Sequence, residues 1–141
     1  HVPAYPSVRK PKAPTSKLER ENWSPIFESN SLSAAFENHD HAYKRTNPIL
    51  KDEVDPTGVV YIGDGAWGVK SPRKPKKPDE SWYIAQSKKE RHFILVTVDG
   101  NERRYQAIKH DGEVFDTYTQ LQNPIQPPKK EEIESLQTAG R

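Results

Sequence analysis

The most regular alternation of apolar and polar positions lies in the second half of the chain. His92 to Val98, Glu102 to Lys109 and Glu113 to Thr119 each read as a strand, separated by Asp99-Gly100 and Asp111-Gly112. Asp-Gly pairs supply the positive φ that a tight hairpin requires, so the three segments predict an antiparallel meander. Phe93, Leu95, Tyr105, Ala107, Ile108, Val114, Phe115 and Tyr118 are its apolar positions. Upstream, Gly58-Val59-Val60-Tyr61-Ile62-Gly63 is an uninterrupted β-branched and aromatic run, the pattern of a strand buried on both faces. It opens into Gly63-Asp64-Gly65-Ala66-Trp67-Gly68, whose glycines predict unusual torsions or close backbone approach beside a site or a packed layer.

The first half is less regular. His1 to Tyr5 reads as extended, because Pro3 and Pro6 bias their predecessors away from helix. Ser7 to Ser16 reads as an exposed loop. Lys17 to Ser29 predicts one helix, with Leu18, Trp23, Ile26 and Phe27 at helical spacing and Pro25 restricting it to its first turn or to a start near Ser24. Leu32 to Glu37 is a short strand candidate, and Thr46 to Pro56 a loop with Asn-Pro and Asp-Pro turn signals. Val69 to Glu80 is a stiff, basic, exposed loop, and Ser81 to Ala85 a short extended piece. The organisation expected is therefore one unit over residues 1–122, with the basic loop at 69–80. A polar tail over 123–141 carries a short peripheral helix at Lys129 to Gln137.

Composition changes this picture in one respect. Only 32% of the residues are hydrophobic, 30% are charged and 13 are proline, against roughly 45–50% apolar in ordinary globular chains on a count that includes glycine. A small ordered part with long polar connections is expected, or a piece whose apolar face meets something else. Lysine and arginine total 22 against 20 acidic residues, a net charge of +2 that gives no reason to expect nucleic acid. Cysteine is absent, so neither disulfides nor thiolate ligands arise. No apolar run reaches the length of a membrane span. The chain has no methionine and starts on histidine, which reads as a processed or partial polypeptide.

Candidate chemistry centres on Phe36-Glu37-Asn38-His39-Asp40-His41-Ala42-Tyr43-Lys44-Arg45. Two histidines at i and i+2 point the same way in an extended segment, or are brought together by a tight loop. Neutral imidazole is a good ligand for zinc, iron and similar ions. Asp40 between them either orients a ligand or faces solvent. Asn38 occupies a left-handed turn at lower cost than most side chains.

His1-Val2-Pro3-Ala4-Tyr5 followed by Asn38-His39-Asp40-His41-Ala42-Tyr43-Lys44-Arg45 resembles the last two metal motifs of the calcineurin-like metallophosphoesterases, the purple acid phosphatase branch being nearest. Gly58 to Gly68 is similar to that family's Val-Tyr-Ile strand and glycine-rich turn. Asp111 to Tyr118 is similar to a phrase in its closing strands. Asn38 stands where glycine is usual, and Lys44 where the purple branch often has glutamate. The resemblance implies an α+β fold, mainly antiparallel β: the C-terminal half of a metallophosphoesterase β-sandwich with one or two flanking helices. It implies that His1 and His39 bind the divalent ion of a binuclear centre, iron with zinc, manganese or a second iron, and that His41 binds the other. His39 and His41 would then serve catalysis, hydrolysing a phosphomonoester through a hydroxide held by the metals. It also implies a secreted or periplasmic setting. The family's earlier motifs, which carry the bridging aspartate and the asparagine ligand, do not occur here. Alone the chain is therefore expected to hold at most one weakly bound divalent ion and to be inactive unless another chain supplies the remaining ligands.

Two other readings stand beside this one. A non-catalytic metal-binding or interaction module needs only the histidine pair. A free N-terminal histidine also offers an amine and a ring to copper, as in histidine-brace oxygenases. Tyr43 and Arg45 either face phosphate, Arg45 with its bidentate fork, or pack over the loop and pair with a carboxylate. His92 and His110 read as surface or rim residues, Asp64 as a turn cap and Asp116 as a turn or loop anchor. Trp67, Trp82 and Tyr83 read as core or as the wall of a cleft.

Overall fold

The computed structural model describes residues 1–63 and 65–121. Its fold is mixed α+β with mostly antiparallel strands, in two main sheets and one small hairpin. Helices α1 (Pro14–Asn22) and α2 (Ser24–Ser29) precede β1 (Ala34–Glu37), β2 (Tyr43–Thr46), β3 (Ile49–Leu50), β4 (Glu53–Val54) and β5 (Val60–Gly63). After a single 3-10 turn at Pro78–Glu80 come β6 (Ile84–Lys88), β7 (His92–Asp99), β8 (Glu102–Lys109) and β9 (Val114–Leu121). The expected helix near 129–137 and Asp64 lie outside the described residues.

The first sheet runs β1-β5-β2-β6, with β1 parallel to β5 and the other pairings antiparallel. All four residues of β5 are buried, because side chains alternate across a strand and both faces of this one are covered. Val59 and Tyr61 point into a cluster with Ala4, Tyr5, Ile49 and Tyr83, closed by Phe27 of α2. Val60 and Ile62 point the other way, into Tyr43, Tyr105 and Ala107. The second sheet, the β7-β8-β9 meander, therefore lies on one face of the first, and the N-terminal segment with its helices on the other. Gly58 is fixed by close approach: a Cβ there would sit 2.3 Å from the Ile49 carbonyl carbon.

The meander follows its sequence pattern closely, with Gly100 at φ +54° and Gly112 at φ +90° in the two turns. The chain departs from expectation in four other places. The helix forms as two, breaking at Trp23. The first starts at Pro14, where a proline without an N–H costs nothing in the first turn, and the second has Pro25 in its own first turn. Ser7, Val8 and Ser16, expected in an exposed loop, are buried. The stretch expected as loop from Thr46 to Pro56 contains the β3–β4 hairpin, whose two turn residues, Lys51 and Asp52, both take positive φ without the glycine or asparagine that signals such a turn. Finally, His92 is not a rim residue. It is 0% exposed, edge-on to Tyr43 and Phe115, because Phe115 and the first sheet close over the start of β7.

Candidate metal centre

The histidine loop follows directly from β1, and its shape is set by carboxylates that bind backbone. Glu37, the last residue of β1, accepts from the Ala4 N–H at 2.6 Å and from the Lys44 ammonium, which also donates to the Tyr5 carbonyl. Asp40 is buried and accepts from the Ser7 and Val8 N–H groups at 2.6 and 2.8 Å. Its other oxygen faces the Arg9 guanidinium at 3.7 Å. Asp40 does not face solvent: it anchors the N-terminal segment that carries His1. Asn38 N–H donates to the His1 carbonyl at 3.2 Å, completing the attachment.

These clamps bring together two histidines 38 residues apart, His1 Nε2 lying 3.1 Å from His39 Nδ1. The rings meet edge to face, centroids 5.0 Å apart at 70°. The contact is a hydrogen bond between the two rings, its direction set by the tautomer; two ring nitrogens bound to one ion at about 2.0–2.1 Å lie roughly 3–3.4 Å apart, so the same spacing also fits a shared cation. His39 is held below its ordinary protonation range by partial burial first and by the Arg9 charge next, against the opposing pull of Asp40. That favours the neutral, ligating ring.

The left-handed torsions fall not on Asn38 but on the histidines, His39 at φ +54° and His41 at φ +53°. Such torsions cost energy in a residue with a Cβ and persist only where the surroundings enforce them. Those surroundings are visible here. Gly65 of the glycine-rich turn packs on the loop, where a Cβ would sit 3.0 Å from the Asn38 backbone and the His39 nitrogen. From the basic loop, the Arg73 N–H donates to the His41 carbonyl at 2.8 Å, its guanidinium reaches the His39 carbonyl at 3.4 Å, and Lys76 N–H donates to the Ser7 carbonyl at 2.8 Å.

The remaining expected site residues go elsewhere. His41 is half-buried, and among the described residues no three histidine, aspartate or glutamate side chains converge as a metal group. The histidines thus meet as a pair, not as a triad. Tyr43 and Arg45, alternate residues on one face of β2, turn toward the meander. The Tyr43 hydroxyl donates to Asp116 at 2.5 Å, and Arg45 forms a fork onto the same carboxylate at 2.7 and 3.1 Å. Arg45 also lies over the Tyr118 ring at 4.8 Å. Asp116 sits within β9 rather than in a turn, where it ties the two sheets together. Burial and then the Asp116 hydrogen bond push the Tyr43 hydroxyl well above its ordinary range. Both side chains are thus engaged with Asp116 across the two sheets.

Sequence reasoning missed Arg9 and Arg73. Each sits among prolines and lysines, and nothing local distinguishes a cation beside a histidine loop from one in solvent. A cavity of about 560 Å³ between the helices and the β3–β4 turn contains none of the histidines. No protein-family model matches the chain, and no curated protein matches it in sequence.

Proposed function

We propose that this chain is the C-terminal part of a calcineurin-like metallophosphoesterase, nearest the purple acid phosphatase branch, and that it contributes half of a binuclear centre hydrolysing phosphomonoesters. The observation that carries the reading is the 3.1 Å approach of His1 Nε2 to His39 Nδ1 across 38 residues of sequence. The strained torsions at His39 and His41 support it, since a folded chain holds such backbone at functional sites more often than elsewhere. In this reading His1 and His39 hold the divalent ion, and His41 is reserved for the second ion. The two-metal site is completed by aspartate and asparagine ligands from outside this chain. When bound, the pair of ions, iron with zinc, manganese or iron, supplies an activated water and stabilises charge on the phosphoryl group.

The residues of this chain then have separable tasks. His1 and His39 offer ring nitrogens at ligand spacing. Glu37 and Asp40 hold the backbone that carries those rings, leaving them little freedom to rearrange. Arg9 and Arg73, each near His39, supply positive charge at the rim, where a phosphate dianion would approach.

Titration of the chain with Zn²⁺ or Mn²⁺, followed by calorimetry and by native mass spectrometry, tests the reading. One ion per chain is expected to bind, weakly, and binding should be lost in His1→Ala and in His39→Ala but retained in His41→Ala. Equal uptake by His39→Ala and the parent chain would overturn the assignment.

A further inference from the structure

A cleft of about 450 Å³ opens beside the histidine loop, lined by Trp67, Pro72, Lys89, Glu90, Arg91 and His110. Two covalent connections tie it to the candidate metal centre. Trp67 belongs to the same turn as Gly65, which packs on Asn38 and His39, and Pro72 immediately precedes Arg73, which bonds the carbonyls of His39 and His41. The cleft and the histidine pair are thus neighbours along one edge of the molecule.

Its chemistry is specific. Trp67 is 59% exposed and lies edge-on against Phe93 at 5.8 Å. Arg91 is tethered by a hydrogen bond from its guanidinium to the Lys70 carbonyl, which holds a second flat, delocalised group at the cleft. Lys89 and His110 add donors, against a single carboxylate, Glu90. An exposed indole and a tethered guanidinium are the two side-chain groups that stack best on planar rings. Arg73 has no carboxylate partner among the described residues and stands between the cleft and His39.

We propose that this cleft seats the planar aromatic alcohol portion of a phosphate ester, stacked on Trp67, while Arg73 receives the phosphate beside His39. The inference rests on the phosphoester reading for its meaning, but the ring subsite exists without metal and is tested without it. The test compares adenosine 5′-monophosphate with ribose 5-phosphate, which carries the same phosphate and sugar but no planar base, by calorimetry on the metal-free chain. Stacking of the base should make the nucleotide bind about tenfold more tightly. Trp67→Ala, at an exposed position, should keep the parent circular dichroism spectrum and bring the two ligands to equal affinity, and Arg73→Ala should weaken both alike. His39→Ala should leave the ratio unchanged. The proposal is overturned if neither ligand binds, if both bind equally to the parent chain, or if Trp67→Ala preserves the difference. A failed metal titration with an intact nucleotide preference would instead count against the phosphoester reading alone.

Discussion

The two sheets are built by opposite means. The meander is local: β7 pairs with β8 and β8 with β9 through short turns, and much of its surface remains open, with Phe93, Leu95, Val98, Val114 and Leu121 exposed. The first sheet is assembled from distant pieces. Glu37 holds Ala4, Asp40 holds Ser7 and Val8, and the buried Tyr83 hydroxyl donates to the Pro6 carbonyl 77 residues away. The candidate metal centre lies wholly within this second kind of structure. Side chains that bind backbone at a distance can place a loop more finely than apolar contact, at the cost of failing sharply when one partner is removed. The first sheet should therefore be brittle where the meander is tolerant.

The harshest break available is Glu37→Ala. Glu37 and Lys44 are 8% and 1% exposed in their side chains and meet in a direct ion pair. Removing the carboxylate leaves a buried ammonium without its charge partner and strips the Ala4 N–H of its acceptor. A loss of about 3–5 kcal/mol in chemical denaturation is expected. The double variant Glu37→Leu with Lys44→Met should recover a substantial part of that loss. No recovery would mean that the Ala4 bond, not the ion pair, carries the effect.

Asp116→Asn cuts the link between the sheets. Burial raises the Asp116 carboxyl, but the hydrogen bonds from Arg45 and Tyr43 outweigh it and hold the group below its ordinary range. A depressed folded-state value contributes stability that is complete above the unfolded value of about 4 and lost as pH falls through the folded one. The variant should therefore lose about 2–3 kcal/mol at pH 7 and show a flatter acid limb than the parent. If the two acid limbs coincide, Asp116 is not what ties Tyr43 and Arg45 across the interface.

The same contrast explains what could be read in the sequence. The meander was legible because its determinants are local: Asp99-Gly100, Asp111-Gly112 and the alternation between them fix turns and register, although in β7 His92 and Ile94 take the inward side while Phe93 and Leu95 stay exposed. So was the buried strand, though it begins at Val60 rather than Gly58. Strand β2 went unread because Tyr43-Lys44-Arg45-Thr46 buries a lysine, which no pattern rule anticipates without its partner Glu37. His92 was misread for the same reason, since its burial depends on Phe115 and on Tyr43 from another sheet. At the candidate site, the histidines were visible by residue type and resemblance. The pairing of His1 with His39 was implied by the resemblance, and a carboxylate partner for Arg45 was one of two readings; that this carboxylate is Asp116, and that Arg9 and Arg73 stand near His39, was not legible, because each depends on contacts between segments far apart in the chain.

A subtler change separates placement of the site from stability. Asp40→Asn keeps the shape of the side chain and one acceptor oxygen but removes the charge facing Arg9 and weakens the grip on Ser7 and Val8. Stability should fall by about 1–2 kcal/mol. Zinc affinity should fall about tenfold or more, since His1 is carried by the segment that Asp40 anchors. Asp40 counts as a positioning residue only if affinity drops while the meander's denaturation profile is preserved. An equal drop in both would reduce it to an ordinary structural carboxylate.

The smallest expected effect is also the most direct check on the comparison. Val98 lies near the tip of the β7–β8 hairpin, paired with Arg103 and 61% exposed. Threonine is nearly isosteric with valine and equally β-branched, so Val98→Thr keeps the strand preference and exchanges one exposed methyl for a hydroxyl that water can satisfy. The change in stability should stay within about 0.5 kcal/mol. The same substitution at Val60, which is fully buried in β5, places a hydroxyl among Tyr43, Ile62 and Tyr105, and should cost about 1–3 kcal/mol unless it finds a partner. Equal costs at the two positions would mean that the open face of the meander is covered in solution, and that the tolerance assigned to this sheet belongs to its partner instead.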